Sequence, residues 1–424
     1  MTLLNWVAVA VVILTIYALI KRYETRLVLF TAGLVLCCVS MAPMNAFNAF
    51  AKSMTSGGLI MAICASMGFA YVCTFTKSDQ HLVQVLSKPI GSLGIFLVPV
   101  CTAVTMVINV AIPSASGVAA AVGSTLIPVM LRAGIKPAAA AAAVMMGTYG
   151  GVCSPGSAHN VYISKISGME IMDFIAYHGP WSLACGAFMV FGIMAVAIVL
   201  GDHKGDKSAV AQVKETTDDF KPNAIKALLT LVPIVILVVG NVWVPAMKMG
   251  VAQAMVLGAV ITLLISYAID RTSPQEFSKS FFNGMGKAYA DVMGIIIAAG
   301  VFAAGLQASG LIASFVDLLK NSNEIARWGG SLGPWMMGVI TGSGDAATMA
   351  FNEAVTPHAA EFGMQTHALG GLAFLTGALG RTSSPIAGAM VIVSGIAMVS
   401  PMEVVKRTAL PVFCAVVFLA LFMV

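Results

Sequence analysis

Charge is what this chain has least of. Asp, Glu, Lys and Arg make up 10% of its 424 residues, where a soluble domain carries about a quarter. Only one stretch, Gly201 to Phe220, is densely charged. Also missing is any Cys-x-x-Cys pair or histidine at metal-ligand spacing: the eight cysteines lie almost all inside apolar runs, which excludes a disulfide scaffold and a structural zinc site. No Gly-rich phosphate loop with its lysine occurs, Gly342-x-Gly344 is too short for a dinucleotide fingerprint, and no Gly-x-Ser-x-Gly elbow is present. No basic patch with interleaved aromatics is found, so nucleic acid is not an expected partner. What remains is 59% hydrophobic residues and a mean hydropathy of +0.93, the signature of a chain whose solvent is lipid.

Apolar runs long enough for about 30 Å of hydrocarbon occur near 3–20, 27–42, 59–75, 137–152 and 180–201, and again near 224–243, 250–269, 288–306, 367–380 and 408–424. The first is followed by Lys21 and Arg22, lacks a basic region before it, and reads as a membrane helix rather than a signal peptide. Landmarks of the two halves align in order. Gly68 to Lys88 matches Gly300 to Lys320, each ending a crossing and continuing into an amphipathic segment (Leu82, Val85, Leu86; Leu311, Phe315, Leu319). Pro128 answers Pro357, Ser154-Pro155 answers Ser384-Pro385, and Met169-Glu170 answers Met402-Glu403.

Between the third and fourth crossings of each half lies an apolar stretch too long for one helix and interrupted by polar residues: Pro113-Ser-Ala-Ser-Gly117 within about 90–132, and Thr341-Gly-Ser-Gly-Asp345 within about 328–363. A re-entrant helical hairpin fits each. Five crossings per half is an odd number, so the expected fold is an all-α polytopic membrane protein of two inverted repeats. The first spans 1–201 with a broken helix over about 137–166, and the second 224–424 with a broken helix over about 367–397; a solvated cytoplasmic linker at 202–223 joins them. The Lys and Arg residues agree with this topology. With the N-terminus outside, most of the 23 fall inside, among them Lys21, Arg26, Arg132, Lys136, Lys226 and Arg271, against Lys52, Lys165, Lys248, Lys320 and Arg327 outside. Both termini are then periplasmic.

Non-helical backbone at membrane depth is tolerated only in protein or against a wet cavity, so a duplicated interruption marks a midplane binding site. Arg381, in Leu379-Gly-Arg-Thr-Ser-Ser-Pro385, is the costliest residue there, at about 2.5–3.5 kcal/mol. It either grips a substrate carboxylate through two parallel hydrogen bonds, helped by Thr382 and Ser383, or forms an ion pair with Asp345. Asp345 either caps the helix after it, titrates as a coupling acid, or ligates sodium. In the first half, Ser154, Ser157 and Asn160 are candidate substrate or cation contacts, and His159 is either a structural group or part of the coupling. Ser114, Ser116, Ser343 and Gly344 sit at the tips, where helix N-termini offer hydroxyls and a positive dipole end to an anion. No metal site or cofactor is expected, only a proton or sodium as coupling ion.

On these residues the chain resembles the anaerobic C4-dicarboxylate carriers of the C-type (DcuC) family, within the ion transporter superfamily. The segments that carry the resemblance are Gly300-Val-Phe-Ala-Ala-Gly-Leu306, Thr341-Gly-Ser-Gly344, Leu379-Gly-Arg-Thr382, Ser384-Pro385 and Ser400-Pro401 with Glu403-Val-Val-Lys-Arg-Thr408. The resemblance implies exchange or proton-linked transport of succinate, fumarate and malate across a bacterial inner membrane, with succinate efflux in fermentation, and a homodimer embedded in the lipid bilayer. Two tips depart from the superfamily's sodium-binding Ser-Asn-Thr: they read Ser114-Ala-Ser116 and Ser343-Gly-Asp345, and Asp345 stands where this family more often has Asn. Competing expectations are a carrier of another carboxylate (a short-chain acid, citrate or an amino-acid conjugate), a cation–proton antiporter with Asp345 and Arg381 as its ion site, and, as an enzyme, an intramembrane hydrolase using Ser154 or Ser157 with His159.

Overall fold

The computed structural model describes residues 3–21, 23–87, 94–203, 221–314 and 323–424, and among these every regular element is helical. In chain order the first half contains α1 (Leu3–Ile20), α2 (Thr25–Val39), α3 (Met44–Met54), α4 (Gly57–Phe75), α5 (Ser78–Ser87), α6 (Leu97–Ala111), α7 (Ala115–Arg132), α8 (Pro137–Gly147), α9 (Ala158–Ser167) and α10 (Ile171–Val199). The second contains α11 (Ala224–Leu229), α12 (Val232–Val242), α13 (Val251–Asp270), α14 (Pro274–Ala288), α15 (Gly294–Ala308), α16 (Asn323–Thr341), α17 (Gly344–Ala354), α18 (Thr366–Thr382), α19 (Gly388–Ala397) and α20 (Pro401–Phe422). Helices satisfy their own backbone, which is what an apolar solvent demands. Seven helical stretches among the described residues are long and apolar enough to cross a membrane: Gly57–Phe75, Gly94–Ala111, Ala115–Arg132, Ile171–Val199, Val251–Asp270, Pro274–Ala308 and Pro401–Phe422.

The chain is a multi-pass membrane protein, and its boundaries differ from expectation where local chemistry intervenes. The apolar run at 224–243 is two helices, because Pro233 starts a new one. The run near 288–306 is the end of a longer rod that begins at Pro274, N-capped by Ser273, and passes through a π-helical turn at Tyr289–Met293. The second hairpin begins at Asn323, five residues before the expected 328. Phe315, Leu319, Lys320, Arg22 and Lys88 lie outside the described residues, as do linker positions 204–220.

One expectation fails inside the linker. Asp202 is not solvated: its carboxylate is fully buried and takes Nε of Arg407 at 2.8 Å and Nη2 at 2.9 Å. Lys136 Nζ stands 3.8 Å away, and Lys136 N–H donates to the Asp202 carbonyl at 2.8 Å. The charged run therefore begins with a tie among the end of α10, the start of α8 and the first turns of α20.

Helix contacts sort into two groups. In one, α15 packs on α2 and α3, and α4 packs correspondingly on α13 and α14. In the other, α8 packs on α6 and α7, α18 packs correspondingly on α16 and α17, and α10 packs on α20. The second group thus collects both hairpins and both broken helices, and it meets the first chiefly through α17 on α15 and α9 on α4. Glycine makes its closest approaches possible. A Cβ at Gly150 would lie 2.1 Å from the Met106 carbonyl oxygen, and one at Gly380 2.2 Å from that of Trp335. Each joins a break to the adjacent hairpin.

Candidate functional site

The two tips are built alike. In the first, Ser114 N-caps α7, its Oγ accepting from Gly117 N–H at 3.1 Å. In the second, Gly342 takes φ +73°, a conformation that favours glycine, and Ser343 Oγ accepts from Ala346 N–H at 3.4 Å. Ser343, not Asp345, is the capping residue, which leaves the Asp345 carboxylate free for another partner. The breaks match as well: α8 ends before a 3₁₀ turn at Gly150–Cys153 and α9 starts after Pro155, while α18 ends at Thr382 and α19 starts after Pro385.

All four interruptions meet at one cavity of about 370 Å³. Asn109, Ser114 and Ser116 enter from the first hairpin, Thr148, Ser157 and His159 from the first broken helix, Ser343 and Asp345 from the second hairpin, and Phe374 and Arg381 from the second broken helix. The remaining wall is largely apolar and comes from the other helix group: Ile63, Met67 and Ala70 of α4 with the single hydroxyl of Ser66, Val292 of the π-helical turn, and Ile295 of α15. Such a chamber, apolar on one side with a few convergent polar groups on the other, is the usual form of a small-molecule site. The second hairpin tip is also a thin wall. Behind it lies another cavity, about 380 Å³, lined by Tyr23, Glu24, Thr341 and the same Ser343.

Arg381 does not pair with Asp345. Its Nη2 donates to the Thr148 carbonyl at 3.1 Å and Nη1 to Thr148 Oγ1 at 3.4 Å, so one edge of the fork is anchored to the opposite break. The Asp345 carboxylate instead accepts from His159 Nε2 at 2.9 Å. The histidine ring is buried, stacked on Phe374 with centroids 4.7 Å apart, whereas the Asp345 side chain is 71% exposed although it lies deep among the helices, because it opens onto the cavity.

The structure brings together Arg381, Ser114, Ser116, Ser343, Ser157, His159 and Asp345. It places the other candidates off the cavity. Thr382 and Ser383 are buried and give their hydroxyls to the carbonyls of Leu379 and Gly380. Gly344 packs tightly on Gly377, and Ser154 faces a separate small void beside Thr230 and Pro233. Asn160 is a brace: its amide donates to the carbonyls of Val152 and Ser154 at 2.8 and 2.9 Å, and its oxygen faces His178 Nε2 at 3.1 Å. Residues that sequence reading missed are Thr148, Phe374 and Asn109. Asn109 Oδ1 accepts from Gly151 N–H at 2.6 Å and its amide donates to Ile112 O at 2.9 Å, tying tip to break. A lone amide in the otherwise apolar limb α6 was its signal. Nothing local marks Phe374.

Comparison with known proteins places the chain among transporters. The family model described as "DcuC: C4-dicarboxylate anaerobic carrier" matches residues 4–424. A Haemophilus influenzae protein named as a transporter is 45% identical over 280 residues, covering 64% of this chain and 99% of that protein. The anaerobic C4-dicarboxylate transporter DcuC of Escherichia coli K12 is 28% identical over 445 residues, 97% of this chain and 94% of its own. A Vibrio cholerae protein named as a DcuC transporter is 28% identical over 433 residues, 95% of this chain and 93% of its own.

Proposed function

The chain belongs to the DcuC family of C4-dicarboxylate carriers, a family of transporters and not enzymes, and from that premise we propose that it carries succinate, fumarate or malate through the cavity at the four helix interruptions. The observation that carries the proposal is Arg381: a guanidinium held at one edge by Thr148 and open to a chamber that both hairpin tips and both breaks share. Its free N–H groups suit a carboxylate, which accepts two parallel hydrogen bonds from such a fork. The hydroxyls of Ser114, Ser116 and Ser157, with the N-terminal end of α7, supply neutral and dipolar contacts for the rest of the anion.

Transport is by exchange or by proton-linked flux, with Asp345, oriented by His159, as the group that takes up the coupling proton. Alternating access is motion of the helix group carrying hairpins and broken helices against the group of α2–α4 and α13–α15. The apolar wall from α4 and α15 supports this, since polar groups holding the cargo belong to one group and the smooth surface past which it slides belongs to the other. The second cavity behind Ser343 supports one exit path. In this reading the two halves are inverted repeats, the membrane is the bacterial inner membrane with both termini periplasmic, and the carrier works as a homodimer, including in succinate efflux.

Counterflow tests it. Purified protein in liposomes preloaded with succinate, fumarate or malate accumulates labelled succinate, and a pH gradient or sodium gradient reveals the coupling ion. Cation flux that needs no carboxylate, with no counterflow of any C4 acid, overturns the proposal in favour of an antiporter.

A further inference from the structure

We propose that the cargo this cavity prefers is a C4-dicarboxylate bearing an α-ammonium group, rather than the plain dicarboxylate. This rests on the transport reading above and deepens it.

The starting point is the inventory of charge on the cavity wall. Among the described residues that line it, the ionisable groups are Arg381, Asp345 and His159. His159 gives Nε2 to Asp345, and its other ring nitrogen is buried with no hydrogen-bond partner. The wall thus offers one guanidinium and one carboxylate, the latter bonded to an imidazole. A plain C4 dianion brings two negative charges to this pocket. Arg381 answers one of them, and the other meets a chamber that also contains an open carboxylate, 71% exposed toward the same space.

Geometry supplies the complementary cargo. Arg381 and Asp345 face one chamber without pairing with each other, since the guanidinium is held by Thr148 and the carboxylate by His159. A ligand with a carboxylate and an ammonium on neighbouring positions complements them in charge, the carboxylate on the guanidinium and the ammonium on Asp345. The two hairpin tips differ in the way the remaining carboxylate requires. The first turn of α17 contains Asp345, whereas the first turn of α7 contains no acid and presents Ser114 and Ser116 to the cavity. The second carboxylate belongs at α7, where a helix N-terminus favours negative charge. Asp345 is therefore a specificity-determining residue, in addition to any part it takes in coupling.

The experiment is counterflow in liposomes containing the purified full-length protein, run in parallel with labelled L-aspartate and labelled succinate, each competed by unlabelled L-aspartate, succinate and N-acetyl-L-aspartate. The wild type should be half-inhibited by aspartate at about one-tenth or less of the succinate concentration, the ratio that one charged hydrogen bond supplies. N-acetylation, which removes the cation and keeps both carboxylates, should abolish that advantage. Asp345→Asn should invert the order, weakening aspartate and strengthening succinate. Succinate competing as well as or better than aspartate in the wild type, or an aspartate advantage that survives N-acetylation, overturns the inference and leaves C4-dicarboxylate transport standing. Absence of counterflow with both labels removes the transport reading and this inference together. The wild-type comparison decides the matter even if the variant does not fold.

Discussion

Replacing Asp202 by Asn changes no shape and removes one charge, and the structure sets a definite cost for it. The carboxylate is fully buried and receives two hydrogen bonds from Arg407, at 2.8 and 2.9 Å, with Lys136 at 3.8 Å. Arg407 is itself only 8% exposed, and its remaining contacts are the Glu403 carbonyl at 2.7 Å and the Glu403 carboxylate at 3.4 Å. Breaking a buried ion pair from one side strands the other charge, at about 3–5 kcal/mol. Glu403 keeps part of the compensation, so a loss near 3 kcal/mol is expected for Asp202→Asn. Were Asp202 part of a solvated linker, the same change would stay within about 0.5 kcal/mol. Removing both charges in Asp202→Asn with Arg407→Gln should restore most of the loss, because no charge is then left buried and unpaired. Thermal unfolding of the detergent-purified protein, followed by size-exclusion chromatography of heated aliquots, measures all four corners of the cycle. A melting temperature of Asp202→Asn equal to wild type, or a double variant that loses the sum of the two single losses, refutes the reasoning.

Arg381→Lys should insert and fold yet bind dicarboxylate at least about tenfold more weakly, since a point charge cannot reproduce the fork and one charged hydrogen bond is worth about 1.5–3 kcal/mol; normal concentration dependence of succinate counterflow counts against the assigned role. Gly380→Val places its Cβ on the Trp335 carbonyl, a 2.2 Å approach to backbone that only movement of the second hairpin relieves, and should cost about 1–3 kcal/mol of stability together with transport; wild-type melting and uptake would show that the close packing there is dispensable. His159→Asn removes the ring that orients Asp345, and net uptake driven by a pH gradient should fall; an undiminished response excludes His159 from coupling.

Much of the site was legible because its signals are local. A Pro, Gly or Ser cluster inside an apolar run must interrupt a helix wherever the chain goes, and the four clusters at Pro113, Ser154, Thr341 and Pro385 do so. The helix-capping role of Ser114 follows from the same local rule. Which hydroxyls face the cavity was not legible. Successive helical residues point about 100° apart, so Thr382, next to Arg381, turns away and closes on Leu379 O. Ser154 and Asn160 share a segment with cavity-lining Ser157, yet Ser154 faces another void and Asn160 is consumed in holding backbone carbonyls.

Lipid as solvent follows from composition alone, and the positions of the helix breaks follow from the local order of residues, because hydropathy and backbone chemistry act within a few residues. The partners across the chain were decided only in three dimensions: Thr148 with Arg381, His159 with Asp345, and Asp202 with Arg407, residues separated by 233, 186 and 205 positions. Each of these charged groups had several chemically equivalent partners in the linear chain. Helix packing, set by glycine contacts such as Gly150 on Met106 and Gly380 on Trp335, selected one for each, and in doing so left Arg381 and Asp345 facing the same chamber without meeting.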